Sequence, residues 1–173
     1  MIALAIVTFV LSLIVLICVL ALMDQYRTLE LIRTHLGITD APRPLDVRRD
    51  GAMPSAAGLS GHFDDTDHLV LLFLTTSCST CKAVASPLHG RRESSLVVVL
   101  AAKTRDSAFA WVKDVGLDPS TVVVDLHEKV AAFYGIEASP SAIVLSYGKV
   151  VLAQTVPSFR QLSPLLSRES LPA

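Results

Sequence analysis

Two cysteines stand where an apolar run stops. Residues Leu69–Thr75 read L-V-L-L-F-L-T, and T-S-C-S-T-C-K, Thr76 to Lys82, follows at once. A run with neither charge nor apolar–polar alternation marks a strand covered on both faces. Helices supply that cover in α/β proteins, so this one stretch already constrains the fold class.

The remainder of the chain agrees. Cys78 to about Leu88 reads as a helix, and Leu96–Ala101 as a second buried strand. Between Asp106 and Val115, the residues Ala108, Trp111, Val112 and Val115 share one helical face, and Gly116 ends it. Thr121–Asp125 is a third strand and His127–Tyr134 a short helix closed by Gly135. Ser141–Leu145 and Val150–Thr155 form a pair around the turn Tyr147-Gly148-Lys149. A last helix spans Ser158–Ser167 with Phe159, Leu162 and Leu166 facing inward. The early strands should be parallel, because helices connect them; the last two should be antiparallel, because only a tight turn does. No internal repeat is visible.

The front of the chain differs. Ile2–Met23 carries no charged side chain, and Thr8 and Ser12 are its only clearly polar ones. As a helix it is roughly 33 Å long, against a hydrocarbon core of about 30 Å. A cleaved leader would need a basic flank, a shorter apolar core and a small-x-small cleavage site. No Lys or Arg precedes this run, and Ile17 before Cys18 does not suit lipidation. The expected domains are therefore a signal-anchor transmembrane helix over residues 1–23, a juxtamembrane stalk and linker over 24–44, and a folded domain over 45–173. Leu29, Ile32 and Leu36 continue the helical spacing into the stalk, and Gly37 is its expected stop. Ile38–Gly61 is rich in Pro, Gly, Ala and Asp and reads as a linker able to hold a short hairpin at the start of the domain.

With 15 basic against 16 acidic residues, the chain shows no basic surface for nucleic acid. Its 3 cysteines are Cys18, inside the expected span, and the pair Cys78 and Cys81. A structural zinc site would need two more ligands at short spacing, and His35, His62, His68, His89 and His127 do not provide them. A crosslink across so short a loop would remove little unfolded-state entropy. Redox exchange accounts for the placement. At the head of a helix the Cys78 sulfur faces unpaired backbone N–H groups, which should hold its pKa below the free value of about 8.5. Lys82 adds positive charge, and Cys81 lies one turn on, pointing inward. Cys78 is then the attacking thiol and Cys81 the resolving one.

In I-E-A-S-P-S-A-I-V-L, Ile136 to Leu145, Pro140 directly precedes a strand. A cis X-Pro bond is tolerated there. Such a loop against the cysteines would leave the Ser139 backbone free to pair with an extended substrate segment. Ser139, Pro140, Ser79 and Thr80 are the expected substrate groove.

On F-L-T-T-S-C-S-T-C-K, S-P-S-A-I-V-L and S-Y-G-K-V-V, the chain resembles the thioredoxin superfamily over roughly residues 45 to 170. Two strand–helix units between Cys81 and Pro140 resemble its membrane-anchored TlpA-like branch, and the anchor, stalk and C-x-x-C-K-A resemble the methylamine-utilisation (MauD) type within it. The resemblance implies a central mixed sheet flanked by helices. It also implies thiol–disulfide exchange on exported protein substrates, with an extracytoplasmic or membrane redox partner and no bound cofactor. The chain departs from the pattern at four places. Ser77 replaces the aromatic before the first cysteine, and Ser79-Thr80 is an unusual middle dipeptide. Leu72 stands where thioredoxin buries an acidic residue, and Val84 where TlpA-like reductases carry a glutamate. No protein base for the Cys81 proton is then obvious, and water is the expected acceptor. A peroxiredoxin would need a proline where Leu71 stands. Arg27 and Arg33 after the span argue for a cytoplasmic domain, whereas the resemblance and the persistence of disulfides outside the cytoplasm argue for an extracytoplasmic one. The latter is the expectation. The rival from another class is a non-enzymatic subunit of a membrane complex with a vestigial cysteine pair.

Overall fold

The structure is a computed structural model that describes residues 2–35, 41–48, 50–91 and 93–167, with side chains in the first helix described at 9 and 11–26. It divides into two compact units, Met1–Asp40 and Ala41–Ala173.

The first unit holds α1, Ile2–His35, which runs unbroken past the end of the apolar stretch. The expected stop at Gly37 lies outside the described residues. Its described apolar side chains are exposed around the helix, Phe9, Leu16, Leu20 and Met23 among them. Among the described residues no helix is long and apolar enough to cross a membrane.

The second unit is a five-stranded sheet. The strands are β1 (Leu69–Thr75), β2 (Leu96–Ala102), β3 (Val122–Leu126), β4 (Ser141–Ser146) and β5 (Lys149–Thr155), in the spatial order β3-β2-β1-β4-β5. β1, β2 and β3 are parallel, as their helical connections require. β5 returns antiparallel to β4 through the tight turn. β4 also runs antiparallel to β1, with Phe73 opposite Ser141. The helices are α2 (Ser79–Ala85), α3 (Arg105–Val115), α4 (Lys129–Tyr134) and α5 (Phe159–Leu166).

Alternate strand residues feed two cores. Val70, Leu72, Leu74, Val98 and Leu100 meet Cys81 and Val84 of α2, Trp111 of α3 and Leu162 of α5. Leu71, Phe73, Val97 and Val99 meet Val130 and Tyr134 of α4 on the opposite face. β1 is therefore covered on both sides, and each of its buried leucines contributes about 1.5–3 kcal/mol.

Several local readings shift for identifiable reasons. The segment read as a linker packs onto the domain: Val47, Ala52 and Leu59 are buried with the α4-side core. Among its described residues no hairpin forms; Pro44 bridges Gln154 on the β5 edge, and Leu45 N–H donates to Ala153 O at 3.0 Å. α2 stops at Ala85, and Pro87 turns the continuation into the 3-10 turn Ser86–Leu88. α5 buries Leu162 and Leu165, while Phe159 and Leu166 are half-buried. α4 starts at Lys129 because His127 and Glu128 are left-handed, with φ of 67° and 56°. α3 keeps its expected face, with Ala108, Trp111, Val112 and Val115 buried. Its Thr104 and Ser107 form a reciprocal cap, and Gly116, φ 75°, closes it.

Candidate active site

Successive crossovers carry the chain from β1 to β2 to β3 in one direction, and β4 then takes the other side of β1. The tip of β1 is thus where the strand order reverses, the place where open α/β sheets bind ligands. Thr76, Ser77 and Cys78 sit at that tip.

Cys78 is the N-cap of α2, with extended backbone (φ −102°, ψ 118°). Its Sγ accepts a hydrogen bond from the Cys81 backbone N–H at 3.1 Å. It is partly exposed, while Cys81 is fully buried, and both are thiols in this structure. Burial pushes the Cys81 thiol up from 9.0 to about 12, helped by its side-chain hydrogen bond to Cys78 and by the Cys78 charge. The two sulfurs therefore occupy different environments: one open to a partner, one sealed beneath it and held as a thiol.

The Ser139–Pro140 peptide bond is cis. Pro140 is buried and its carbonyl accepts from Val156 N–H at 2.9 Å. The Ser139 carbonyl lies 3.9 Å from the Cys78 Sγ, a long S–H···O contact. The loop that the sequence placed against the cysteines is thus brought there by the β1–β4 pairing. Ser79 and Thr80 are exposed on the first turn of α2.

Two clefts open beside the tip of β1. One, of about 1190 Å³, runs along α3 past Lys103, Trp111 and Asp114. The other, of about 290 Å³, ends at Ser139 and Glu137. Of the expected groove residues Ser139 lines the smaller cleft, while Ser79, Thr80 and Pro140 line neither, nor does Cys78.

Sequence reasoning missed three charged features. Lys82 on α2 pairs with Asp114 on α3 at 2.6 Å, an exposed contact that ties the two helices together. Asp125 is buried, and its Oδ2 accepts from Val130 N–H and Ala131 N–H, each at 3.0 Å. An aspartate just ahead of a helix is a capping signal, hidden here by reading Asp125 as the end of a strand. Glu128 carried no local signal. Leu72 and Val84, which stand where the resemblance implies carboxylates, are fully buried in the core that holds Cys81.

No family model matches the chain, and neither does any curated protein. Solved structures do. A secreted Mycobacterium tuberculosis disulfide oxidoreductase homologous to E. coli DsbE superimposes with a TM-score of 0.52 at 19% identity, covering 62% of this chain and 86% of that one. MTB DsbF, in its mixed oxidised and reduced forms, gives 0.52 at 18% identity over 62% of this chain and 84% of its own. The fold is thioredoxin-like: a central mixed sheet flanked by helices.

Proposed function

We propose that this chain is a membrane-anchored thiol–disulfide oxidoreductase acting on exported proteins. One observation carries the reading: an accessible sulfur caps a helix and accepts a backbone N–H at 3.1 Å, with its partner thiol fully buried beneath it. The sulfur open to a partner is the one suited to attack, and the sealed one beneath it the one suited to resolve. The secreted Mycobacterium tuberculosis neighbour is a disulfide oxidoreductase by its description, and MTB DsbF is described in mixed oxidised and reduced forms.

The chemistry balances without a bound group. Acting as a reductant, the Cys78 thiolate attacks a substrate disulfide, forms a Cys78–substrate S–S bond and expels one substrate thiolate. The Cys81 thiol then loses its proton, and its sulfur attacks the Cys78 sulfur. The Cys78–Cys81 bond forms and the second substrate thiolate leaves. The substrate gains two electrons, and a partner dithiol returns the pair to the reduced form. With a partner disulfide instead, the same steps run backwards. Pro140 and Ser139 shape the wall of the site next to Cys78.

Replacing Cys78 by serine should reduce exchange with a model peptide disulfide to the uncatalysed rate, with the folded state retained. Exchange that survives this change would remove Cys78 from the mechanism. A chain that instead co-purifies with one fixed partner, with or without its cysteines, is a complex subunit rather than an oxidoreductase.

The anchor belongs to the same proposal. Ile2–Met23 carries no charge, and the described apolar side chains of α1 are exposed all round, which in a helix signals an apolar surrounding. The full chain should stay with membranes through an alkaline carbonate wash, and lysines at Leu16 and Leu20 should release it. Release of the unaltered chain would remove the anchor. A C-terminal reporter active on one side of the membrane decides between an extracytoplasmic domain, as proposed, and a cytoplasmic one.

A further inference from the structure

The two clefts share four lining residues, Thr75, Ser77, Ala101 and Glu128; Cys78 lines neither, but its neighbour Ser77 lines both. They are two arms of one groove that passes over the tips of β1 and β2. Glu128, exposed, stands where the arms meet. An extended segment that passes from one arm to the other crosses it.

Glu128 is held at that point by its backbone. It and His127 are consecutive non-glycine residues in the left-handed region, at φ 56° and 67°. Such backbone is strained and persists only where its surroundings hold it. Here the buried Asp125 carboxylate does so, fixing the start of α4 through the Val130 and Ala131 N–H groups.

The charge of the groove is uneven. The long arm is mixed, with Lys103 and His127 against Asp114 and Glu128. The short arm ends at Ser139, whose carbonyl reaches the Cys78 sulfur. Its charged lining side chains are Asp125, Glu128 and Glu137, and no basic side chain lines it among the described residues.

We propose that Glu128 sets substrate choice at this site, favouring protein segments with a lysine or arginine beside the reacting cysteine. The occupant follows from charge complementarity: a cation drawn into the acidic arm brings its neighbouring sulfur up to Cys78. This rests on the thiol–disulfide reading above.

The test uses the reduced full chain and three disulfide peptides of equal length, with Arg, Ala or Glu beside the reacting cysteine. One well-placed charge pair at a solvated surface should make the Arg peptide react roughly three- to five-fold faster than the Glu peptide at low salt. About 0.5 M salt should shrink that ratio. Glu128→Gln should remove it and Glu128→Lys should reverse it, each read as the Arg-to-Glu rate ratio within one variant. Gln and Lys keep an unbranched side chain at the left-handed position, so the loop is strained no further. An Arg-to-Glu ratio near one in the unaltered protein, or one that Glu128→Lys leaves unchanged, overturns the role of Glu128 while exchange itself stands. If not even the Ala peptide reacts, the oxidoreductase reading falls and the inference falls with it.

Discussion

Changing Cys81 to serine should leave the protein joined to its substrate. Cys78 keeps its place as helix cap and still attacks, because the backbone N–H it accepts from does not depend on the side chain at residue 81. The mixed disulfide then has no internal thiol to break it. Turnover should fall to the uncatalysed rate, and a covalent adduct of protein and substrate should accumulate on non-reducing gels. Cys78→Ser alongside it should give no adduct, since Cys81 is fully buried. Equal adducts from both variants would mean that either sulfur is accessible, and would dismantle the division of labour between them. In the unaltered protein the second step should limit the first. Burial, the largest cause of the raised Cys81 pKa, persists in the mixed disulfide, even though the Cys78 charge is then gone. Leu72 and Val84, buried with Cys81 in one core, offer it no base, so water is the expected proton acceptor. Decay of the adduct should therefore quicken by up to about tenfold per pH unit on the alkaline side, following the thiolate fraction.

Alkali should unfold the reduced protein more readily than the oxidised one. The Cys81 thiol is raised from 9.0 to about 12 in the folded state. Above about pH 9 the unfolded chain releases a proton that the folded chain keeps. Fewer protons bound to the unfolded state means that stability falls as pH rises. The contribution is full below about pH 9 and is lost progressively toward pH 12. At about 1.4 kcal/mol per unit, Cys81 alone removes about 2 kcal/mol by about pH 10.5. Tyr134 acts in the same direction, its phenol pushed up by burial and by the Asp64 charge. Urea unfolding of the reduced protein at about pH 9 and about pH 10.5 measures the slope. Oxidation, or Cys81→Ala, should remove the Cys81 share and leave that of Tyr134. Identical slopes in reduced and oxidised protein would show that the Cys81 thiol is not sealed from water.

The strands were legible because burial leaves a local record. A strand covered on both faces cannot hold a charge, so Leu69–Thr75 and Leu96–Ala101 stand out as unbroken apolar runs, and β1 begins and ends where that run does. The α3 face was legible from its helical spacing. Cys78 at a helix head, Cys81 turned inward and Pro140 ahead of β4 were also legible, since each depends on what immediately precedes or follows it.

Other features have no local record. That β4 runs antiparallel beside β1, and so brings Ser139 to the Cys78 sulfur, depends on pairing residues far apart in the chain. Assigning α4 to one face and α2, α3 and α5 to the other depends on which way the chain crosses the sheet. The left-handed turn at His127 and Glu128 has no glycine to announce it; it holds because Asp125 is buried and caps α4. Sequence by itself thus determined the layers and placed the cysteine pair, because both follow from the polarity of near neighbours. The tertiary structure alone decided where the groove runs and which charges line it, because distant segments meet there only after the sheet has closed.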